Sequence, residues 1–423
     1  MLLPEQNQDQ KQNTLLSEGA YGCIFKPGYT CQGKTEKKKY ITKIQKKSPN
    51  SENELEIGKK IKKIKNYDLY FSPILKNCNL SMSNILNQKE IKQCDIIKQE
   101  IKQQNQQNQQ NQQNQQNQQN QQNQQSKTPE FQSNRIRYIL GKTIGKTLEI
   151  KIQEYTYYQQ INNQNPTQKH PFYFLLENHK YLLKSLSILQ KRRIIHYDMK
   201  QNNIMFDNQN NIPIIIDFGI SILTKKIDAK NPDLIDLKKV FYNDSEYLAW
   251  PLDTMFLSSL VLSNQPPANQ PPQNQPPPTS WQTQPINPTQ YQQQIDVFLK
   301  ESQLFKENQI LLLSNLFPKE SPLQEQIRNF QTNTKTLWEK YLQTTLKPKT
   351  QLELFQTLWE NHKTWDTYAL STMFLFFVSN LPKPADPQTT TLMENYVKIN
   401  IENIQNLPIA RKTPLKMLKE LSR

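Results

Sequence analysis

Two tracts of this 423-residue chain can contribute nothing to a hydrophobic core, and they decide how the rest is arranged. From Asn105 to Asn123 the tripeptide NQQ repeats, with seven Asn and no apolar residue, and residues 264–280 read NQPPANQPPQNQPPPTS. A stacked repeat needs apolar positions to bury against its neighbours. The first tract therefore reads as a flexible or aggregation-prone insert, and the second as an extended polyproline-type linker. Length alone allows two or three domains of about 150 residues. With hydrophobic residues at only 35% and 27 Pro, much of that length is not globular. What remains suits one domain with insertions, preceded by a disordered tail over residues 1–13.

Several classes fall away next. The start, MLLPEQNQDQ, is polar within four residues, which argues against a secretory signal. The most apolar run, Tyr368 to Leu381, is interrupted by Ser371, Thr372 and Ser379 and is too short to span a bilayer, so no membrane partner is expected. The four cysteines, Cys23, Cys31, Cys78 and Cys94, form no CxxC pair. That spacing predicts neither a disulfide framework nor a zinc site, and an intracellular, reducing compartment. The formal charge of +16 leaves open a weak nucleic-acid contact through the basic N-terminal part. Its lysines cluster in KKKYITKIQKK and KKIKKIKN, however, and around the second Ile57, Ile61 and Ile64 recur at helical steps, the pattern of a solvated helix face.

Glycine is scarce: eight residues, where average usage would give roughly 30. Two of the eight, Gly19 and Gly22, lie in SEGAYGCIF between two predicted strands, where a hairpin lacking Cβ atoms lets backbone N–H groups approach phosphate oxygens. A tight β-turn would look the same. Lys43 follows in the strand KYITKIQKK, and a predicted helix over 51–64 carries Glu54 in SENELEIGKKI, with Glu56 as a rival. An ion pair from strand to helix would hold the ammonium against nucleotide phosphates. A helix is expected over 172–190, with Leu175, Leu176, Leu182, Leu183 and Leu186 as its buried stripe.

The strongest signal is IIHYDMKQNNIMF followed by IPIIIDFGIS. His196, Asp198, Lys200 and Asn203 stand in the order of a catalytic loop in which Asp is the base and Asn a metal ligand. Asp217 heads the triplet Asp217-Phe218-Gly219, fourteen residues past Asn203. One two-stranded hairpin spans that distance and returns Asp217 beside Asn203. Two oxygen ligands held together suit Mg2+, which fills its other positions with water and substrate phosphate.

With these motifs the chain resembles a divergent eukaryotic-type protein kinase of the serine/threonine type, and its wording is similar to kinases of large nucleocytoplasmic DNA viruses. The echoes are EGAYGCIFKPG, YFSPILKNC, HYDMKQNNIM, WPLD at 250–253 and WDTYALS at 365–371. The resemblance implies an α+β, two-lobed fold: a small β-rich N-lobe over about 14–140 and a larger, mainly helical C-lobe over about 141–423. The NQQ insert would occupy about 102–130 in the first. A Pro/Gln/Asn-rich insert over about 264–294 and a helical insertion over about 295–360 would swell the second. It implies ATP and Mg2+ as cofactors and a protein substrate whose Ser or Thr hydroxyl accepts the γ-phosphoryl group. Gly19 and Gly22 would cover the phosphates, Ile24 would floor the adenine, and Lys43 would pair with Glu54. The hinge would lie near Tyr138 to Lys142, and Gly141 and Gly145 fall there. Asp198 would take the acceptor proton, Lys200 would neutralise the transferred group, and Asn203 and Asp217 would hold metal. Asp366 resembles the buried helix aspartate that braces the catalytic loop. Arg411 resembles the late arginine that pairs with the end of the activation segment, where Asp253 of WPLD takes the acidic part.

The sequence departs from the family at Ser17 for the first loop glycine, Ile41 for the alanine two before the lysine, and Tyr197 for the arginine that meets an activation-segment phosphate. Two rivals follow: a pseudokinase that binds ATP as a scaffold, and a small-molecule kinase with the same loop. The resemblance also places the protein in the cytoplasm or nucleus, or in host cytoplasm or virion if it is viral.

Overall fold

A computed structural model describes residues 14–19, 22–30, 34–35, 37, 40–79, 89–118, 136–142, 145–161, 169–207, 209–241, 250–264, 281–301, 309–346 and 349–423. The expected tail and most of the Pro-rich tract lie outside them. The fold is α+β, with small antiparallel sheets and many helices. The chain divides into two compact units, residues 1–63 with 72–144, and residues 64–71 with 145–423.

The first unit is built on a five-stranded antiparallel sheet in the order β1-β2-β3-β5-β4. Its strands are β1 (Thr14–Gly19), β2 (Gly22–Lys26), β3 (Tyr40–Lys46), β4 (Lys76–Asn79) and β5 (Ile136–Lys142). Period-two alternation sends Cys23 and Phe25 of β2, and Thr42 and Ile44 of β3, into the interior. Helix α1 (Pro49–Ile61) starts on a capping box, in which Ser48 and Ser51 each accept the other's backbone N–H, with Pro at the first helical position. It buries Ile57 and Ile61 and leaves Lys59 and Lys60 exposed.

Three expectations need correction here. Cys23 and Cys94 are joined by a disulfide across 71 residues of sequence, and Cys78 is disulfide-bonded as well. Local spacing carries no trace of this, because strand pairing and the turn at 91–93 bring the two sulfurs together. The argument for a reducing compartment thereby loses its basis. The NQQ tract, read as flexible, is helical as far as Gln118 in α2 (Asp95–Gln118). Ile96 and Ile97 dock its first turn into the core formed by Cys23, Phe25, Tyr29 and Ile44. Once a nucleus is fixed, each added residue needs no core contact, and Gln propagates a helix well. Residues Tyr138 to Lys142, read as a hinge, form a strand that pairs with β3 from Tyr40↔Lys142 to Lys46↔Ile136. The division between the units falls beyond it, at Ile144/Gly145.

The second unit carries helices α3 (Leu148–Ile161) and α4 (Pro171–Lys191). Strands β6 (Ile194–Ile195) and β9 (Ile222–Leu223) pair with each other, and β7 (Ile204–Asp207) pairs with β8 (Ile212–Ile215). The remaining helices are α5 (Leu234–Lys238), α6 (Leu252–Ser263), α7 (Pro288–Glu301), α8 (Gln309–Leu312), α9 (Pro322–Arg328), α10 (Phe330–Tyr341) and α11 (Gln351–Trp359). They are followed by α12 (Trp365–Ser379), α13 (Pro387–Gln405) and α14 (Pro414–Leu421). Helix α12 is buried nearly all round and packs against α4 and α13. The segment 64–71 belongs to this unit: Ile215 donates to Tyr70 O at 3.0 Å, and the Tyr181 hydroxyl donates to Leu69 O at 2.6 Å.

One boundary moves. Residues 281–294, read as part of the Pro-rich insert, are ordered because Trp281 and Tyr291 bury and anchor them. The C-terminal helices bury one face each: Met393, Tyr396, Val397, Ile401 and Ile404 on α13, Met417 and Leu421 on α14. Among the described residues no helix is long and apolar enough to cross a membrane.

Candidate active site

In the first unit Gly19 and Gly22 face each other at the ends of β1 and β2. Gly22 is required by close packing: a Cβ there would lie 2.3 Å from Ile44 O of β3. Ile24 follows, half-buried, opposite Lys43 on β3. Lys43 Nζ reaches Glu54 Oε2 of α1 at 3.4 Å, so the strand-to-helix ion pair is made with Glu54. Gln45 Nε2 donates to the same oxygen at 3.3 Å. The sequence reading overlooked Gln45, although its signal was present: it lies two residues past Lys43 and so on the same face of the strand.

In the second unit the residues of the loop from His196 to Asn203 converge on Asp198. Its Oδ2 accepts from Asn203 Nδ2 at 2.7 Å and its Oδ1 lies 3.1 Å from Lys200 Nζ. Asn203 Nδ2 also donates to Asp198 O at 2.8 Å, tying the side chain of one end of the loop to the backbone of the other. His196 supports the loop from beneath. Its Nδ1 accepts from Asp198 N at 3.3 Å, and its Nε2 lies 3.0 Å from Ile216 O. From α12, Asp366 accepts from His196 N through Oδ2 and from Tyr197 N through Oδ1, both at 2.8 Å. Burial pushes the Asp366 carboxyl above its usual range, while His196 and the two N–H donors pull the other way.

The β7–β8 hairpin does what the spacing predicts. Ile204 pairs with Ile215, and Ile216 N donates to Asn203 O at 2.9 Å, so Asp217 emerges one residue beyond the strand partner of Asn203. Asp217 has φ 57°, a left-handed conformation that Asp tolerates better than most residues. Its Oδ1 accepts from Gly219 N at 3.3 Å. Phe218 is buried, with its ring edge-on to His196 at 5.0 Å and to Phe71 at 6.2 Å. Asn203 and Asp217 carry hard oxygen donors, the kind of ligand that Mg2+ takes. Among the described residues one group of metal-ligating types, Glu18, Cys23 and Cys94, lies close together, and both its sulfurs are in the disulfide.

Further from the chemistry, Arg411 Nη2 meets Asp253 Oδ2 at 2.7 Å with both side chains buried. Trp365 Nε1 donates to the same oxygen at 2.6 Å. Trp250, which the sequence reading noted only as part of WPLD, donates from Nε1 to Tyr197 O at 2.7 Å. No protein-family model matches the chain, and no curated protein matches it.

Proposed function

We propose that the chain is an ATP- and Mg2+-dependent protein kinase that transfers the γ-phosphoryl group to Ser or Thr hydroxyls of protein substrates, its two units being the lobes of that fold. One observation carries the reading: Asp198 is gripped by Asn203 and Lys200 while Asp366 and His196 fix the backbone that leads into it. A buried loop so fully bonded around one carboxylate is costly to assemble for packing alone.

In this reading Asp198 orients the acceptor hydroxyl and takes its proton as the oxygen attacks phosphorus. Lys200, half-exposed beside it, would neutralise charge on the transferred group. Asn203 and Asp217 would hold the metal, which when bound offsets charge on the phosphates. Lys43, oriented by Glu54 and Gln45, would serve the α- and β-phosphates. Little covalent work is asked of the protein; positioning and charge supply most of the rate.

A radiolabelled autophosphorylation assay comparing wild type with Lys43→Met and Asp217→Ala tests the proposal. Mg2+-dependent label in the wild type, lost in both variants, is the expected result. ATP-dependent thermal stabilisation without any transfer would make the protein an ATP-binding scaffold, and label appearing only on a small-molecule acceptor would move it to that class of kinase.

A further inference from the structure

We propose that Trp250 is a positioning residue for the catalytic loop, holding the peptide that leads into Asp198; this rests on the kinase reading of that site. The argument begins with Tyr197, whose φ of 66° puts a bulky side chain in the left-handed region. Such a conformation is unfavourable by about 1–3 kcal/mol and persists only where its surroundings impose it. Here both backbone polar groups of Tyr197 are taken by side chains from distant segments. Its N–H goes to Asp366 of α12, and its carbonyl accepts from the Trp250 indole at 2.7 Å.

That carbonyl belongs to the same planar peptide as the Asp198 N–H. Fixing one fixes the other, and the Asp198 N–H is the group that reaches His196 Nδ1. Trp250 also stacks on the Tyr197 ring, with centroids 4.6 Å apart and planes 21° apart. Two contacts of different kind, one polar and one apolar, thus fall on a single residue next to the proposed base.

The clamp is itself anchored. Trp250 is buried, and three residues on, Asp253 is tied to Arg411 and Trp365. Trp365 also meets the Tyr197 ring, tilted against it with centroids 5.7 Å apart. The segment entering α6 is therefore pinned at both ends of a short stretch, with the indole as its contact to the loop. Any buried indole N–H needs an acceptor; what ties Trp250 to the loop is that its acceptor is the carbonyl of the peptide leading into Asp198.

The test uses the full chain with Trp250→Phe, which keeps a ring and removes the N–H, and Trp250→Leu, which removes the stack as well. We expect Trp250→Phe to lower kcat for a generic protein acceptor about tenfold, as a misplaced group does, with KM for ATP changed by less than twofold. Hydrogen exchange at the amides of 196–198 should quicken about tenfold in the same variant. Trp250→Leu should show larger effects in the same order, and if it does not fold, Trp250→Phe decides alone. Unaltered exchange, or unaltered kcat in an active protein, overturns the proposal. A wild-type chain that transfers nothing overturns the kinase reading instead, and the exchange comparison then decides by itself whether Trp250 holds the loop.

Discussion

Arg411 and Asp253 form an ion pair at 2.7 Å in which neither side chain reaches solvent, their exposures being 1% and 0%. The guanidinium also lies over the Tyr368 ring, 5.6 Å from its centroid. Removing one member of such a pair strands the other charge in the interior, a loss of about 3–5 kcal/mol, whereas replacing both by apolar residues is far milder. Arg411→Met should therefore lower the unfolding free energy by about that amount, and Arg411→Met with Asp253→Leu should recover a large part of it. Denaturant titration measures both. Equal destabilisation by the single and double variants would show that the buried charge is not the dominant effect, and Trp365, which shares Asp253, would then account for the remainder.

The disulfide from Cys23 to Cys94 ties β2 to the start of α2. Closing a loop of that length restricts the unfolded chain and typically stabilises by about 2–4 kcal/mol. Replacing both cysteines, Cys23→Ala and Cys94→Ser, should lower the thermal midpoint of the protein. Chemical labelling gives an independent check, because among the described residues no cysteine is free. Iodoacetamide should leave Cys23 and Cys94 of the unfolded, unreduced wild type unmodified and should modify them only after reductant is added. Labelling of Cys94 without reductant would remove the cross-link from the description.

His179 offers a test of the second unit that is independent of any activity. It is fully buried, stacked on Phe374 at 4.2 Å, with Nδ1 at 2.6 Å from the Tyr396 hydroxyl, and burial pushes its pKa down to about 3. The unfolded chain, titrating near 6.5, binds this proton at a pH where the folded chain does not. Stability from this group is therefore complete above about pH 6.5 and is lost as pH falls toward 3. The loss is on the order of 4 kcal/mol by the bottom of that window. The stability of His179→Phe should fall less steeply with acid than that of wild type over the same window. Parallel pH profiles for the two proteins would mean that His179 does not titrate on unfolding.

What could be read in advance divides along a physical line. The loop from His196 to Asn203, the β7–β8 hairpin and Asp217 were legible because their geometry is local: turn length and strand register fix it within two dozen residues. Asp366 and Arg411 came only by resemblance, since α12 and the segment after α13 meet their partners through packing that no spacing encodes. The disulfide and the Trp250 to Tyr197 contact were illegible for the same reason. The NQQ tract failed differently, because composition reports the absence of a core face and not the helix that an anchored first turn can propagate. Gly22 was legible as a necessary glycine, but its immediate reason is the Ile44 carbonyl beside it.

The central residue gives the sharpest test of chemistry. In Asp198→Asn one carboxylate oxygen becomes an amide N–H2, so either Asn203 Nδ2 or Lys200 Nζ faces a donor in place of an acceptor, and the group that would take the hydroxyl proton is gone. Loss of a positioned general base typically lowers rate by about 10²–10⁴-fold. The ion pair of Lys43 with Glu54 lies on other residues and is untouched, so ATP binding should survive. Turnover measured with a protein acceptor should fall into that range, while the thermal shift given by ATP with Mg2+ stays within a degree or two of wild type. A variant that still transfers phosphate at the wild-type rate would remove Asp198 from the mechanism. One that loses the nucleotide-dependent shift as well would assign it to binding.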